Sequence, residues 1–418
     1  MLYRSLSEKL RRVIMLENFL REYNTNRILL SATGLWPFQN KLVKNLLWTF
    51  CFLVEISYYP FEMLLLYDHL DNAQLVFDGC FQILGSTHFI ARHLNGVFNF
   101  DKLRWIYETI DEHWNIFTND IEVQVMKEYS MSSRKFVKYY SILFFFTLWV
   151  VCVLAPLSPI FLDVIMPLNE SRTRFFLVEV EFRVNKQDYF IPIFCYTTIV
   201  LMVGMTIMVG VDATHIVCTA HACSLFAAIS KQIENIFSKA SNSKKIDKSG
   251  YNMNIELDSS SEEIIYREYI LCLKKHQLAI KFVNVLESSY QELSFLLLLL
   301  IIATLSLVGI RIIHVLHKIN ELMKFACIIV EVLVALMIVN YSGQRLMDES
   351  QNLFYRAYAT EWYNFSPRLK SLMIITLYRS NVPCGLKAGN MIPLSITTYA
   401  AVVRMAMSYF TAFMSIQD

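Results

Sequence analysis

Four residues near the middle of the chain, His215, Cys218, His221 and Cys223, are of the types that bind zinc. On a helix of 3.6 residues per turn His215 and Cys218 share a face, but His221 and Cys223 lie well around from one another. Tetrahedral closure is therefore awkward, helix packing is the competing reading, and no metal or cofactor is expected. The chain has no GxxxxGKS/T phosphate loop, no GxSxG elbow and no HExxH, so nothing in it points to an enzyme. Among the ionisable residues within or at the ends of long apolar runs, eight stand out: Glu55, Asp78, His88, Arg92, Asp212, His215, Glu331 and Arg404. A charge there is costly, so each has either a function or a place near a helix end where it can reach water. Near the end of the chain Thr397, Arg404, Ser408, Thr411 and Ser415 follow one another at seven, four, three and four residues, within about 60° on a helix. Such a stripe faces either a pore or cavity, or its hydroxyls bond back to their own helix and pack on a neighbour.

These residues need membrane-crossing elements to position them. About 20 apolar residues cross roughly 30 Å of hydrocarbon, and seven such windows occur, at 45–66, 75–98, 137–162, 189–213, 289–312, 321–343 and 392–414. The second is interrupted by Asp78, Gln82, His88 and Arg92. A 55% hydrophobic chain with 14% aromatic residues and only 11 glycines in 418 reads as an all-α membrane protein rather than a soluble domain.

The basic residues orient it. With the N-terminus in the cytosol, the inner segments 1–44, 99–136, 214–287 and 344–391 hold 28 of the 38 Lys and Arg, against about six outside, counting Arg311. Of three Asn-x-Ser/Thr sites, Asn340 and Asn364 then fall inside and Asn169 outside, which makes Asn169 the candidate for glycosylation. A net charge of +2 spread over many loops argues against nucleic-acid binding. The nine cysteines lie in predicted helices or on the cytosolic side and imply no disulfide framework. Residues 238–262 are Ser-rich and charged and are expected to be disordered, whereas 263–288 reads as a helix running into span five. Ile264, Leu271, Leu278, Phe282 and Val285 share one face of that helix and must bury against the same subunit or another.

The tail from Phe354 resembles the C-terminal signature of insect odorant receptors. The matching elements are Glu361-Trp362-Tyr363 with Pro367, a basic-aliphatic helix ending at Arg379-Ser380, Ala388-Gly389, Pro393-Leu394-Ser395, and a closing Ser408-Tyr409-Phe410-Thr411. Upstream, the likeness is one of length and architecture.

The resemblance implies a seven-transmembrane all-α protein with a cytosolic N-terminus, an extracellular C-terminus and a helical cytosolic anchor. Residues 1–44 would be the cytosolic N-terminal segment, 45–343 spans one to six, 344–391 an anchor helix and 392–418 the pore-lining seventh helix. It further implies one subunit of a four-subunit, ligand-gated nonselective cation channel in the plasma membrane of olfactory sensory neurons. The chain would be the odour-specific member, assembled with a shared co-receptor in the lipid bilayer and binding a small volatile odorant. By position, the family's hydrophobic pore gate falls on Ala412 and Ile416, a face about 80° from the hydroxyl stripe that contains Ser408, and the adjacent polar constriction falls on Ser415, which belongs to that stripe. The family's odorant pocket, between spans two, three, four and six with help from five, falls near Phe77, Cys80, Phe81, Trp149, Cys152, Val153, Phe190, Phe194, Thr198 and Ile328. A gustatory receptor of the same superfamily shares this plan, and a metabotropic receptor shares the seven spans but needs the opposite orientation.

Overall fold

Asparagine side chains start three of the helices. Asn40, Asn72 and Asn119 each accept from a backbone N–H two residues on, satisfying donors that the first turn leaves open. The computed structural model describes residues 17–150, 152, 165, 180–186, 188–247, 259–315, 319–364 and 366–417. In chain order these form α1 (Glu17–Ala32), α2 (Lys41–Ile56), α3 (Tyr59–Asp68), α4 (Ala73–Phe98), α5 (Phe100–Ile116), α6 (Asp120–Trp149), α7 (Phe190–Asp247), α8 (Ser259–His314), α9 (Ile319–Tyr358), a short 3-10 turn (Trp362–Asn364), α10 (Pro367–Ser380), strands β1 (Lys387–Ala388) and β2 (Ile392–Pro393), and α11 (Ile396–Gln417).

By length and hydropathy, Lys41–Asp68, Phe190–Lys239, Glu262–Ile313 and Phe325–Tyr358 are each able to cross a membrane. Together with α4, α6 and α11 they make the seven-helix membrane architecture. The first span differs from the single helix expected over 45–66. It breaks at Ser57–Tyr58, and α3 restarts with Pro60 in its first turn, where a missing N–H costs nothing. The break is tied to α7 by a 2.8 Å hydrogen bond between the Ser57 and Tyr196 hydroxyls.

Two helices far exceed the membrane. At 58 and 56 residues, α7 and α8 are about 85 Å long at 1.5 Å per residue, against roughly 30 Å of hydrocarbon. Their surplus turns form a stem with α1, α5, the first half of α6, the end of α9 and α10. Helix continuity also revises the expectation for 238–262, because α7 runs through Asp247 and α8 begins at Ser259; only 248–258 of that stretch lies outside the described residues. Segment 344–391 is likewise not one anchor helix but the end of α9, a 3-10 turn, α10 and a hairpin.

The stem has a true core: Tyr107, Phe117, Phe226, Tyr269 and Phe282 are among its fully buried side chains. On α8 the core face is Tyr269, Cys272, Ala279, Phe282, Val283 and Leu286. It is rotated from the apolar stripe read in the sequence, so Phe282 is buried while Ile264 and Leu271 stay exposed. Inside this core Lys275 donates to both oxygens of Glu122 at 2.7 and 2.6 Å, with its ammonium 4.8 Å from the centre of the Phe117 ring. His113 and His221 hydrogen-bond at 3.1 Å with their rings stacked, and Phe282 meets both edge-on. Burial drives His113 down to about 4, and it drives His221 well down too, with repulsion from His113 as the lesser cause. Burial, and then the charge of Arg379, takes His276 down to about 4.

Two outcomes follow from these buried charges. Lys275→Met strands the Glu122 carboxylate in the core and is expected to cost about 3–5 kcal/mol; it is read as a lowered melting temperature of the purified protein, with Glu122→Gln added to Lys275→Met restoring much of the loss. The buried histidines have folded values below their ordinary 6.5. The unfolded chain therefore binds more protons between about pH 6.5 and 4, and stability must fall as pH is lowered through that window. A melting temperature that is flat from pH 7 to 5 contradicts this.

Candidate functional site

A cavity of about 280 Å3 opens between α3, α4, α6, α7, α8 and α9 within the membrane half of the protein. Its wall on α4 is the polar face that interrupts the second span: Asp78, Phe81, Gln82, Gly85, Ser86, His88, Phe89 and Arg92 recur at three to four residues. The opposite walls are mostly apolar, with Phe144 and Leu148 from α6, Val200, Leu201, Met205 and Met208 from α7, and Phe325, Ile328 and Val332 from α9, interrupted by Glu62, Thr147, Thr304 and Glu331. Mixed apolar lining with a few placed polar groups is the composition of a small-molecule site.

The floor is an ion pair. Arg92 donates to both Asp212 oxygens at 2.9 and 3.1 Å, and the Tyr140 hydroxyl donates to the same carboxylate at 2.9 Å. Arg92 and Asp212 are nearly inaccessible to solvent, so α4, α6 and α7 are held together by charge that has no water to compete with it. Beyond this pair lies a second, smaller cavity of about 30 Å3, which Arg92 and Asp212 share with His215, Tyr290, Leu336 and Leu394. Leu394 belongs to the segment that enters α11.

That entry is built tightly. Gly389 and Asn390 take left-handed conformations in the turn between β1 and β2, as Gly and Asn do most readily. The Gly389 N–H donates to the Gln291 carbonyl of α8 at 2.9 Å. Ser395 caps α11 through the Thr398 N–H, and its own N–H donates to the Asn340 side chain of α9. A Cβ on Gly343 would stand 2.3 Å from the Leu394 carbonyl oxygen, so α9 and this segment touch backbone to backbone. The helix therefore begins at Ile396 rather than at 392, which is still strand.

Of the pocket residues expected from sequence, Phe81 and Ile328 line the cavity. Phe194 and Thr198 share the face of Leu201 and Met205 but sit about two turns and one turn before them, and Phe194 stacks on Phe190 at 5.9 Å instead. Trp149 follows Leu148 by one residue and so points away, half exposed beside Phe146. Phe77 and Cys80 are off the polar face of α4, and Cys152 is buried one turn beyond Leu148, outside the wall. Val153 and Asn169 lie outside the described residues. Four of the eight charged positions flagged in the sequence, Asp78, His88, Arg92 and Glu331, do line the cavity. Glu62 on α3 also lines the cavity; it falls inside the first apolar window, 45–66, and its charge is the signal that marks it. The His/Cys group does not assemble: His221 pairs with His113, and His215 meets the Tyr290 ring edge-on at 5.1 Å.

On α11 the residues Arg404, Ser408, Thr411, Ala412 and Ser415 are exposed, while Val402 and Ala406 are buried against the rest of the protein. Thr411 and Ser415 donate back to the Ser408 and Ala412 carbonyls, both at 2.9 Å. The Thr411 and Ser415 hydroxyls are thus satisfied within their own helix and face outward from the chain. Ile416 lies on the last turn of this helix.

The profile of the seven-transmembrane odorant receptor family matches residues 72–407. The chain belongs to the odorant receptor family. Curated relatives include Odorant receptor 9a of Drosophila melanogaster, 27% identical over 134 residues, or 32% of this receptor and 34% of that one. Odorant receptor 2a of the same fly is 33% identical over 21% of each chain. The chain thus matches about a third or less of the length of these relatives. The fold extends much further. The insect olfactory receptor OR5 from Machilis hrabei, solved in complex with eugenol, superposes with a TM-score of 0.72 over 95% of this receptor and 99% of that chain at 13% identity. A second structure of the same insect olfactory receptor OR5 gives 0.69 at 11% identity, over 96% and 99% of the two chains.

One glycine sets the cavity's shape. A Cβ on Gly204 would come within 2.4 to 2.8 Å of the Phe89 ring, a wall residue. Gly204→Ala is expected to push that ring into the cavity and raise the agonist concentration for half response about tenfold, equivalent to ~1.4 kcal/mol, at unchanged surface expression. An unaltered dose–response curve contradicts the assignment of this cavity.

Proposed function

We propose that this odorant receptor is the odorant-binding subunit of a heteromeric, odorant-gated nonselective cation channel, assembled with a shared co-receptor in the plasma membrane of olfactory sensory neurons. The observation that carries the reading is a mostly apolar cavity separated by one buried ion pair from the segment that enters α11, a helix whose hydroxyl face is exposed. A volatile ligand binds there by burial of apolar surface. It opens the pore by favouring a state in which α11 is displaced, and the few kcal/mol such a ligand supplies require two states already close in free energy. Ser408, Ala412, Ser415 and Ile416 line the permeation path.

Partner subunits fit the exposed apolar side chains of the stem. Ile264 and Leu271 on α8 and Ile374, Ile375 and Tyr378 on α10 are half or more exposed, in a region that the charge distribution puts in water rather than lipid. Apolar surface of this kind on a soluble stem is the mark of a protein interface. The same distribution of Lys and Arg supports a cytosolic N-terminus, with Asn169 outside and open to glycosylation.

The test is whole-cell current in cells expressing this chain with and without the co-receptor, under an odorant panel and with G-protein signalling blocked. A rapid cation current that needs the co-receptor and survives the block is the expected result. A response that is lost with the block returns the metabotropic reading.

A further inference from the structure

We propose that the ligand of this receptor is a small volatile amine, held as its ammonium ion by the carboxylates of Glu62 and Glu331. The inference rests on reading the 280 Å3 cavity as the odorant site and names the chemistry of what enters it.

A charge in a cavity inside a membrane needs a counter-charge, and a carboxyl group without one keeps a proton until a cation arrives, so the ionisable groups can be taken one at a time. Asp78 is taken by Arg311, which donates to both of its oxygens at 3.0 and 2.8 Å. Arg92 is taken by Asp212 at 2.9 and 3.1 Å. His88 hydrogen-bonds the backbone of Leu300. Two carboxyl groups remain.

Glu62 is fully buried, at 0% exposure. Its Oε1 accepts from the Ser86 hydroxyl at 2.6 Å, while its Oε2 is buried with no partner. The Glu331 Oε1 is likewise buried with no partner, since the one proton of the neighbouring Thr147 hydroxyl goes to the Leu143 carbonyl at 3.0 Å. Both side chains line the cavity, from α3 and from α9, and among the described residues no cation pairs with either. Each presents one open oxygen, and Glu62 is held by a hydroxyl through its other one.

The ligand classes separate on what they bring to such oxygens. An ester, ketone or aldehyde carries acceptors only. An alcohol brings one neutral donor. A protonated amine brings up to three donors and the missing positive charge, and charge-assisted hydrogen bonds are about twice as strong as neutral ones. The remaining wall suits the rest of such a molecule, because Phe81, Phe89 and Phe325 offer apolar contact to its carbon skeleton. The volume falls just below the roughly 300–1,000 Å3 of drug-sized sites, which keeps the ligand small.

The experiment uses the full chain with the co-receptor at buffered neutral pH and two isosteric series: hexylamine, 1-hexanol and hexanal, and benzylamine, benzyl alcohol and benzaldehyde. Current is recorded, and the same compounds are tested for the shift they cause in the melting temperature of the purified complex. In at least one series the amine is expected to be about tenfold or more as potent as its alcohol. Glu62→Gln and Glu331→Gln, which keep shape and one acceptor but remove the charge, each collapse that ratio toward one. Equal potency of amine and alcohol, a preference for the aldehyde, or a ratio untouched by both substitutions overturns the proposal. If no compound elicits current but an amine raises the melting temperature of the wild type and of neither variant, the amine site stands and the channel reading falls. If the amines give neither current nor a melting shift, the amine site falls.

Discussion

The Arg92–Asp212 pair is the constraint from which the membrane half of this receptor follows. Neither residue could stay in a low-dielectric interior alone, since the effective penalty is several kcal/mol per ion. Each therefore fixes the other, and with Tyr140 they fix the relative depth and rotation of α4, α6 and α7. Once these three helices are registered, the polar face of α4 has to turn inward, and the space it turns toward becomes the cavity. The same pair is the partition between that cavity and the smaller one that reaches Leu394. Any change in how the three helices sit is thus felt on both sides of a single guanidinium.

Below the membrane the same logic is repeated with different partners. Lys275 and Glu122 bind α8 to α6, and the His113–His221 stack binds α5 to α7. Because α7 and α8 pass from one layer to the other without a break, the two buried networks are rigidly connected. The membrane half and the stem share helices, not merely an interface.

Much of this was legible in the sequence, and the residues that were not are instructive. The seven apolar windows, the hydrophilic interruption of the second and the motif Pro393-Leu394-Ser395 all reflect local rules of hydropathy, charge cost and capping, which act over a few residues. Choosing pocket residues by aromatic type found Phe81 but also selected Trp149 and Phe190, because an aromatic ring on a membrane helix serves lipid, packing and ligand equally well. Charge was the better guide. Asp78, His88, Arg92 and Glu331 were flagged simply as expensive, and expense is rarely tolerated without a cavity or a partner. Glu62 carries the same signal inside the first window. The break at Ser57–Tyr58 is resolved by no hydropathy window, and the rotation of the α8 core face away from Ile264 and Leu271 depends on neighbours from α5, α6 and α7 that no local pattern encodes.

The last helix is anchored unequally. At its start α11 is gripped by Ser395, by Asn340, by the hairpin pinned to Gln291 and by the close approach of Gly343. Farther along, its contacts are apolar, with Val402 and Ala406 buried and Phe410 lying against Gly309, and its hydroxyls are turned back on themselves. Mechanically this is a reed clamped at one end. Over 22 residues, about 33 Å at 1.5 Å per residue, a tilt of only about 5° at the clamp swings the far tip by roughly 3 Å, the width of a water molecule. The geometry turns a small rearrangement beside Leu394 into its largest displacement near Ala412, Ser415 and Ile416.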